Sequence, residues 1–430
     1  MPLDWGRTYR GEEMRPALPK HGRPWAEIKD EMSGYSTHDV KWREGRHAFH
    51  VWYGGDDIFE VQRESYAMYM QENGGGAGKT FKSLKIMEDA VIDYAAGLLQ
   101  GTSAVGHITS GGSESIFVAM KAARDWARTH KPEITAPEVV IPFSGHPTFN
   151  RAAEYLGLTI VRVPVATDLR GDVSAMEAAI TTNTITLVGS AVCFPYGVVD
   201  PISDLSALAQ RRNLWLHVDA CIAGLQAPFA RELGYEVPDF DFSLPGVSSI
   251  SADMHKYGFG AKGSSLVLYA NAELASFQPF NFYDWPLGQF SNPNVASTRP
   301  GGSIASSYAV MNYLGHDGYL ALNKRLMNLR DEIMAGINAI PGLTINSTPH
   351  SLIISFGPSD QENVDGLAIY DEMAKRDWYL GRSYQPRGMM MGISLPHELS
   401  QAKLLSDLAE CTEQVIRTHQ KSDPNAPLTY

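Results

Sequence analysis

Residues 251–265 read SADMHKYGFGAKGSS. Two primary amines, Lys256 and Lys262, stand six apart among small residues, and His255 precedes the first. A lysine drawn out of water has its charged form disfavoured and becomes a nucleophile toward carbonyl carbon. By itself the stretch reads equally well as two solvated lysines on a glycine-rich loop. Two other places change the weighing. At 217–220, HVDA closes an apolar strand with Asp219, at the carboxyl edge where open α/β sheets bind ligands. A helix N-cap is the plainer alternative for Asp219. At 109–115, TSGGSES runs a glycine turn into a helix expected to begin at about Ser113. The unpaired N–H groups and positive dipole end of such a helix suit phosphate, and a capping box is the plainer alternative.

Taken together, these features meet the needs of pyridoxal 5'-phosphate. That cofactor requires a lysine for a Schiff base, an acid on its pyridinium nitrogen and a cup for its phosphate. On this reading Lys256 forms the imine and Asp219 keeps the ring nitrogen protonated, so that the ring remains an electron sink. Gly112 and Ser113 cradle the phosphate, and His255 adds a donor. His146, in PFSGHPTFN, supplies a flat ring to stack on the cofactor, or is a plain loop histidine.

These residues must be positioned by a regular frame, and the hydrophobic pattern predicts one. EVVIP (138–142), TIVRVPV (159–165), TITLVGS (184–190) and LWLHVDA (214–220) read as buried strands separated by helical patterns. SSISADM (248–254) and SSLVLYA (264–270) add two more around the two lysines. Such alternation predicts a mainly parallel sheet wrapped by helices. Helices are expected at 81–100 and over roughly 303–340, and the remainder reads strand, helix, strand, helix as a smaller α+β unit. Residues 1–75 read as irregular. The expected division is an N-terminal segment 1–75, a large cofactor-binding domain 76–340 and a small C-terminal domain 341–430.

Composition narrows the partners. With 36 basic against 48 acidic residues the net charge is −12, which argues against nucleic acid or an anionic membrane as the main partner. The three cysteines are scattered and odd in number, which fits a reducing cytoplasm. The first residues lack the apolar core of a signal peptide, and no run of about 18 apolar residues predicts a membrane span. Metal chemistry finds no HExxH or Cys/His cluster; His47 and His50 are three apart, but two ligands make a poor site. The run GGGAGKT suggests a nucleotide loop, yet the first position of G-x-x-x-x-G-K-[ST] falls on Asn73. A loop contacting an anionic substrate group, or a plain connector, fits that run better. No G-x-S-x-G elbow is present for a serine hydrolase.

Six stretches occur in a familiar order: WREGR (42–46), TSGGSESI (109–116), FPYGVVDP (194–201), HVDAC (217–221), SISADMHKYGFGAKGSSLVLY (249–269) and STRPGG (297–302). In these the chain resembles the pyridoxal phosphate-dependent group II decarboxylases, and among them most resembles the sphingosine-1-phosphate lyases. The resemblance implies a fold-type I architecture, with a mainly parallel seven-stranded sheet flanked by helices and a smaller C-terminal α+β domain. It also implies a homodimer with active sites at the subunit interface and a small-molecule substrate bearing a primary amine. It assigns Lys256 to the imine, Asp219 to the pyridinium and His146 to the ring face. Ser113 and His255 go to the phosphate, and the segment carrying Ser297 and Gly301 approaches the phosphate of the neighbouring subunit. Lys262 matches a second family lysine that serves the substrate or a proton transfer. Tyr53, His146 and Lys262 are the candidates for proton handling.

The implied reaction is retro-aldol carbon–carbon cleavage of an amino alcohol to an aldehyde and an amine. Two departures stand out. The lyases carry an Asn-Pro-Leu-His-type loop where this chain reads ENGGGAGKTF, without histidine, and the tyrosine often found three after the imine lysine is Phe259. Decarboxylation of an amino acid through the same cofactor is the alternative.

Overall fold

The computed structural model describes residues 18–76 and 78–422. Seven strands form the main sheet: β1 (Val105–Thr109), β2 (Glu138–Pro142), β3 (Thr159–Val163), β4 (Thr184–Ser190), β5 (Trp215–Asp219), β6 (Ser249–Ala252) and β7 (Ser265–Tyr269). Their order is β1-β7-β6-β5-β4-β2-β3, and β7 alone runs against its neighbours. Every residue of β4 and β5 is buried, as expected of central parallel strands covered on both faces. The expected strands are all present, trimmed by a residue or two at some ends. β1 was not anticipated: VGHIT is short and interrupted by glycine and histidine, and it takes an edge position beside β7.

The covering helices follow from apolar spacing. In the helix Lys82–Leu98, Leu84, Met87, Val91, Ile92 and Ala95 line one buried face at helical intervals. The helix Gly112–His130 buries Ile116, Ala119, Met120, Ala123 and Ala127 in the same way. The long helix Gly301–Asn338 is broken at Gly315, whose φ of 56° only glycine adopts without strain. A second, antiparallel sheet carries strands Leu343–Ile345, Ile353–Pro358, Arg387–Gly392 and Gly381–Tyr384 in that spatial order. Helices Gly366–Ala374 and His397–Thr418 complete this C-terminal unit. Two of its four strands, Leu343–Ile345 and Gly381–Tyr384, escaped the sequence pattern because they are very short.

The expectation that 1–75 is irregular needs correction. Its described part holds helices Trp25–Tyr35 and Asp56–Met68, the second packed on Gly301–Asn338. Their apolar faces are thin: the first buries no residue and the second only Ile58 and Ser65, so periodicity was faint. Residues 1–17 lie outside the described region. No helix among the described residues is long and apolar enough to cross a membrane.

The segment after the short turn at 42–44 is clamped to the C-terminal unit. Tyr379 N–H donates to the Arg46 carbonyl at 2.9 Å and Gly392 N–H to the Ala48 carbonyl at 2.7 Å. The rings of His47 and His397 stack 5.1 Å apart. His397 Nδ1 accepts from Ser394 N–H at 3.0 Å and its Nε2 donates to the His47 carbonyl at 2.5 Å, so this imidazole is neutral. Burial lowers the pKa of both histidines to about 4.

A histidine whose folded pKa is depressed favours the folded state above its unfolded pKa, near 6.5, and loses that contribution as pH falls toward the folded value. The urea midpoint should therefore decline between pH 6.5 and about 4. His397 alone would contribute at most on the order of 3 kcal/mol across that window. His397→Gln keeps an acceptor and a donor but cannot titrate, so its acid decline should be shallower than that of the wild type. Parallel declines would refute this account.

Candidate active site

Asp219 ends β5, and Asp253 immediately follows β6, the neighbouring parallel strand, so both carboxylates emerge at the C-terminal edge of the sheet. The turn beyond β6 brings Lys256 back over Asp253, with Nζ 3.0 Å from Oδ2. His255 Nε2 lies 3.5 Å from the same oxygen. Burial pulls the Lys256 pKa down, but Asp253, with Cys221 and Asp219, more than reverses this, so the amine is held protonated. Burial likewise pushes the Asp253 carboxyl up, and Lys256 and His255 outweigh it and hold it ionised.

Lys256 is the buried amine expected, but its carboxylate neighbours keep it charged, and the lowered pKa occurs at Lys262. Although its side chain reaches solvent, burial of its ammonium and repulsion from Lys256 lower its pKa to about 8. Its Nζ stands 4.6 Å from the centre of the Trp52 ring and 3.4 Å from the His255 carbonyl.

Asp219 is aimed by the Cys221 N–H at 3.2 Å and the Ser251 hydroxyl at 3.3 Å, both on Oδ1. Its Oδ2 carries no hydrogen bond among the described residues. Gly112 opens the helix after β1, one residue earlier than expected, and no side chain caps that N-terminus among the described residues. A Cβ on Gly112 would come within 2.8 Å of Cys221 Sγ and 2.9 Å of both Asp253 carboxylate oxygens. Ser113 Oγ lies 3.3 Å from Thr148 Oγ1, which in turn lies 2.9 Å from His146 Nδ1. The Thr148 N–H also donates to Nδ1 at 3.2 Å, which places the ring proton on Nε2. Burial lowers the His146 pKa against the pull of Asp219, so the ring is neutral; Lys256 and Asp253 also act on it, which puts all four groups in one electrostatic neighbourhood.

A cavity of about 1050 Å³ adjoins this cluster. His146 and Thr148 form one part of its wall, and Phe49, Phe194, Tyr379 and Arg382 form another. Lys256 and Asp219 do not line it, so the cavity meets the cluster only at His146 and Thr148.

Tyr53 does not join the cluster. Its hydroxyl bonds Asp56 and accepts from Arg43 at 3.2 Å. In extended backbone neighbouring side chains point to opposite sides, and it is Trp52 that faces both lysines, 4.6 Å from Lys262 and 5.7 Å from Lys256. Ser297 and Gly301 lie on the connector into Gly301–Asn338, packed on residues 72–76. Gly301 N–H donates to the Glu72 carbonyl at 2.9 Å and Gly74 N–H to the Arg299 carbonyl at 2.8 Å. Gly75 sits against Ser297, where a Cβ would come 2.1 Å from the carbonyl oxygen. The glycine run is thus docked on the connector, and glycine is what permits the approach.

Sequence reasoning missed Asp253, Trp52 and Thr148. Asp253 had a signal in its i, i+3 spacing to Lys256; Thr148 and Trp52 had none. The set fits pyridoxal 5'-phosphate. A primary amine stands in the turn after one strand, a carboxylate oxygen with no hydrogen bond among the described residues ends the next, and a helix N-terminus without a side-chain cap lies beside them, where glycine permits the close approach of Cys221 and Asp253.

Comparison with known proteins agrees. Residues 83–357 match the pyridoxal-dependent decarboxylase conserved domain. The chain belongs to the pyridoxal-dependent decarboxylase family. A sphingosine-1-phosphate lyase of Oryza sativa is 36% identical over 422 residues, covering 96% of this chain and 77% of the plant protein. The solved structure of a Burkholderia pseudomallei sphingosine-1-phosphate lyase superposes with a TM-score of 0.88 at 31% identity, covering 95% of each chain. A glutamate decarboxylase from Lactobacillus brevis shares the fold, with a TM-score of 0.81 at 18% identity over 96% of this chain and 97% of that one. This family member is accordingly a pyridoxal phosphate-dependent lyase, with the fold-type I architecture expected from its motifs.

The cup yields a direct test. Gly112→Ala should force apart Cys221 and Asp253 and weaken cofactor binding by tenfold or more, with a stability loss of about 1–3 kcal/mol. Fluorescence titration of the apoprotein with pyridoxal phosphate, alongside thermal unfolding, reads both. Unchanged cofactor affinity would show that the phosphate sits elsewhere.

Proposed function

We propose that this lyase opens a phosphorylated amino alcohol by retro-aldol cleavage to an aldehyde and an amine, acting as a cytoplasmic homodimer. The observation that carries this reading is the second amine, Lys262, six residues beyond Lys256 and beside the same cluster. With a pKa lowered to about 8 it is mostly an ammonium at neutral pH, suited to a phosphate on the substrate. The similarity to proteins named sphingosine-1-phosphate lyase supports the same substrate class.

When bound, pyridoxal phosphate supplies an electron sink for the bond broken at the amine-bearing carbon. The chain supplies position and charge. Lys256 is the attachment point, held in place by Asp253 before the cofactor arrives. Asp219 would hold the proton on the ring nitrogen through the oxygen that has no hydrogen bond among the described residues. Neutral His146, its orientation set by Thr148, would stack on the ring face. Gly112, Ser113 and His255 would receive the cofactor phosphate. Ser297 and Gly301 serve the cofactor phosphate of the partner subunit, and the 1–75 segment contributes to the dimer and its active site. The large domain spans 76–340 and the small one 341–430.

Borohydride reduction followed by peptide mass analysis should find the cofactor on the peptide containing Lys256 and nowhere else. Release of carbon dioxide from amino acids, with no aldehyde from phosphorylated sphingoid bases, would overturn the lyase reading in favour of decarboxylation. The lowered pKa of Lys262 gives a pH signature. Its ammonium is present below about pH 8 and lost above it, so KM for a phosphorylated substrate should rise above pH 8. Lys262→Met should raise KM at pH 7 by about tenfold or more and abolish that rise. A KM independent of both would remove Lys262 from substrate binding.

A further inference from the structure

The cavity beside His146 carries a charge pattern foreign to the rest of the chain. Its volume, about 1050 Å³, is at the upper end for small-molecule sites, which span roughly 300–1,000 Å³. Arg151, Arg162, Arg382 and Arg387 all line it, and no aspartate or glutamate does so among the described residues. In a chain with 48 acidic against 36 basic residues, this wall is cationic against the overall balance.

Three of these charges are fixed in place. Arg162, on β3, donates to the Phe143 and Gly145 carbonyls at 2.9 Å each and to Asn150 Oδ1 at 2.6 Å. It thereby shapes the loop that carries His146, and its neutral acceptors leave its charge uncancelled. Arg382 and Arg387 are steadied by Asp371 at 3.1 Å and Asp365 at 2.9 Å, two carboxylates that stand outside the wall. Arg151, in the helix Thr148–Leu156, reaches both solvent and the cavity. Its guanidinium makes no hydrogen bond or ion pair among the described residues, and its charge acts on His146. Another part of the wall is aromatic: Phe49 packs 5.7 Å from Phe194 and 5.3 Å from Tyr379, centre to centre.

We propose that this cavity receives the end of the substrate remote from the amine, and that this end is an apolar stem bearing a carboxylate. The proposal rests on the retro-aldol reading above and narrows its substrate class. A plain hydrocarbon tail would strip water from the guanidinium groups and return nothing, whereas a carboxylate accepts charge-assisted hydrogen bonds from them. The stem lies on the aromatic face of Phe49, Phe194 and Tyr379, and Arg151 meets the acid. In the cleavage the bond between the amine-bearing and hydroxyl-bearing carbons breaks. The O–H electron pair becomes the second bond of the aldehyde carbonyl, and the hydroxyl proton ends on the amine-bearing carbon with the pair from the broken bond. The acid takes no part, so the aldehyde product carries it.

The test uses the cofactor-loaded enzyme. Octanoate, octanol and octyltrimethylammonium are titrated by calorimetry. A phosphorylated 2-amino-1,3-diol is then offered with either a carboxylate or a methyl group at the end of one and the same chain. Octanoate should bind about tenfold or more tightly than octanol, and the ammonium should bind more weakly than either. Arg151→Gln should weaken octanoate by about tenfold or more and leave octanol within about twofold, and Arg151→Lys should restore part of the loss. Lys262→Met should leave octanoate binding unchanged, which separates the cavity from the second lysine. Among the diols, kcat/KM should favour the carboxylate by about tenfold or more, and Arg151→Gln should remove that preference. Octanoate and octanol bound equally, octanoate binding indifferent to Arg151, or no preference between the diols would overturn the acid site while leaving the lyase reading intact. Aldehyde from neither diol, with octanoate still held through Arg151, would overturn the retro-aldol reading and keep the acid site.

Discussion

One buried carboxylate organises the centre of this protein. Asp253 is 3% exposed, yet it faces Lys256 and His255 on one side and the floor of the glycine cup on the other. Its Oδ1 has no hydrogen bond from the described residues. An ionised group that deep is tolerated only because the lysine amine lies in contact with it, and removing one partner of such a pair leaves a bare buried charge, at a cost of about 3–5 kcal/mol. The ion pair therefore fixes where the amine stands before any cofactor arrives. The position of the pair comes from strand order: β6 lies beside β5, so its terminal acid and the acid of β5 share one edge.

A second set of polar groups braces the helix N-terminus at 110–114, the connector and the glycine run against one another. Glu114, in the first turn of the cup helix, accepts from Ser110 N–H at 2.7 Å and from Val295 and Ala296 N–H at 2.7 and 3.0 Å. Arg299 bonds Glu88 at 2.6 Å, the Ile108 carbonyl at 2.8 Å and the Gly74 carbonyl at 2.9 Å. Asn73 accepts from Gly75 and Arg299 N–H at 2.8 and 3.1 Å. The cup at 110–114, the connector at 294–301 and the glycine run at 73–76 are thus one hydrogen-bonded body. Buried polar groups must be satisfied, and here each satisfies another part of the same site. A glycine run that looks mobile in one dimension is an interlocked surface in three.

Much of the frame and the cofactor set was legible in the chain. Short β-branched runs such as TITLVGS between helical patterns read as strands covered on both faces, and a lysine, an aspartate and a glycine turn into a helix are features that one cofactor needs together. What stayed hidden depends on direction and depth. Tyr53 and Trp52 are neighbours of similar chemistry, and only the fold, which sets Trp52 beside Lys256 and Lys262, decides which ring faces the lysines. His47 and His50 stand three apart in sequence, yet His47 is buried against His397 while His50 is exposed with its ring beside Phe49 and Tyr379.

Residue type, order and apolar period thus determined the alternating frame and the cofactor class, because those follow from local chemistry and from periodicity along the chain. The ionisation of Lys256, the placing of Trp52 rather than Tyr53 beside the lysines, the docking of the glycine run and the left-handed turn at His50 were decided by tertiary structure alone. Each arises from groups far apart in the chain and close in space, where burial and neighbouring charge set the outcome.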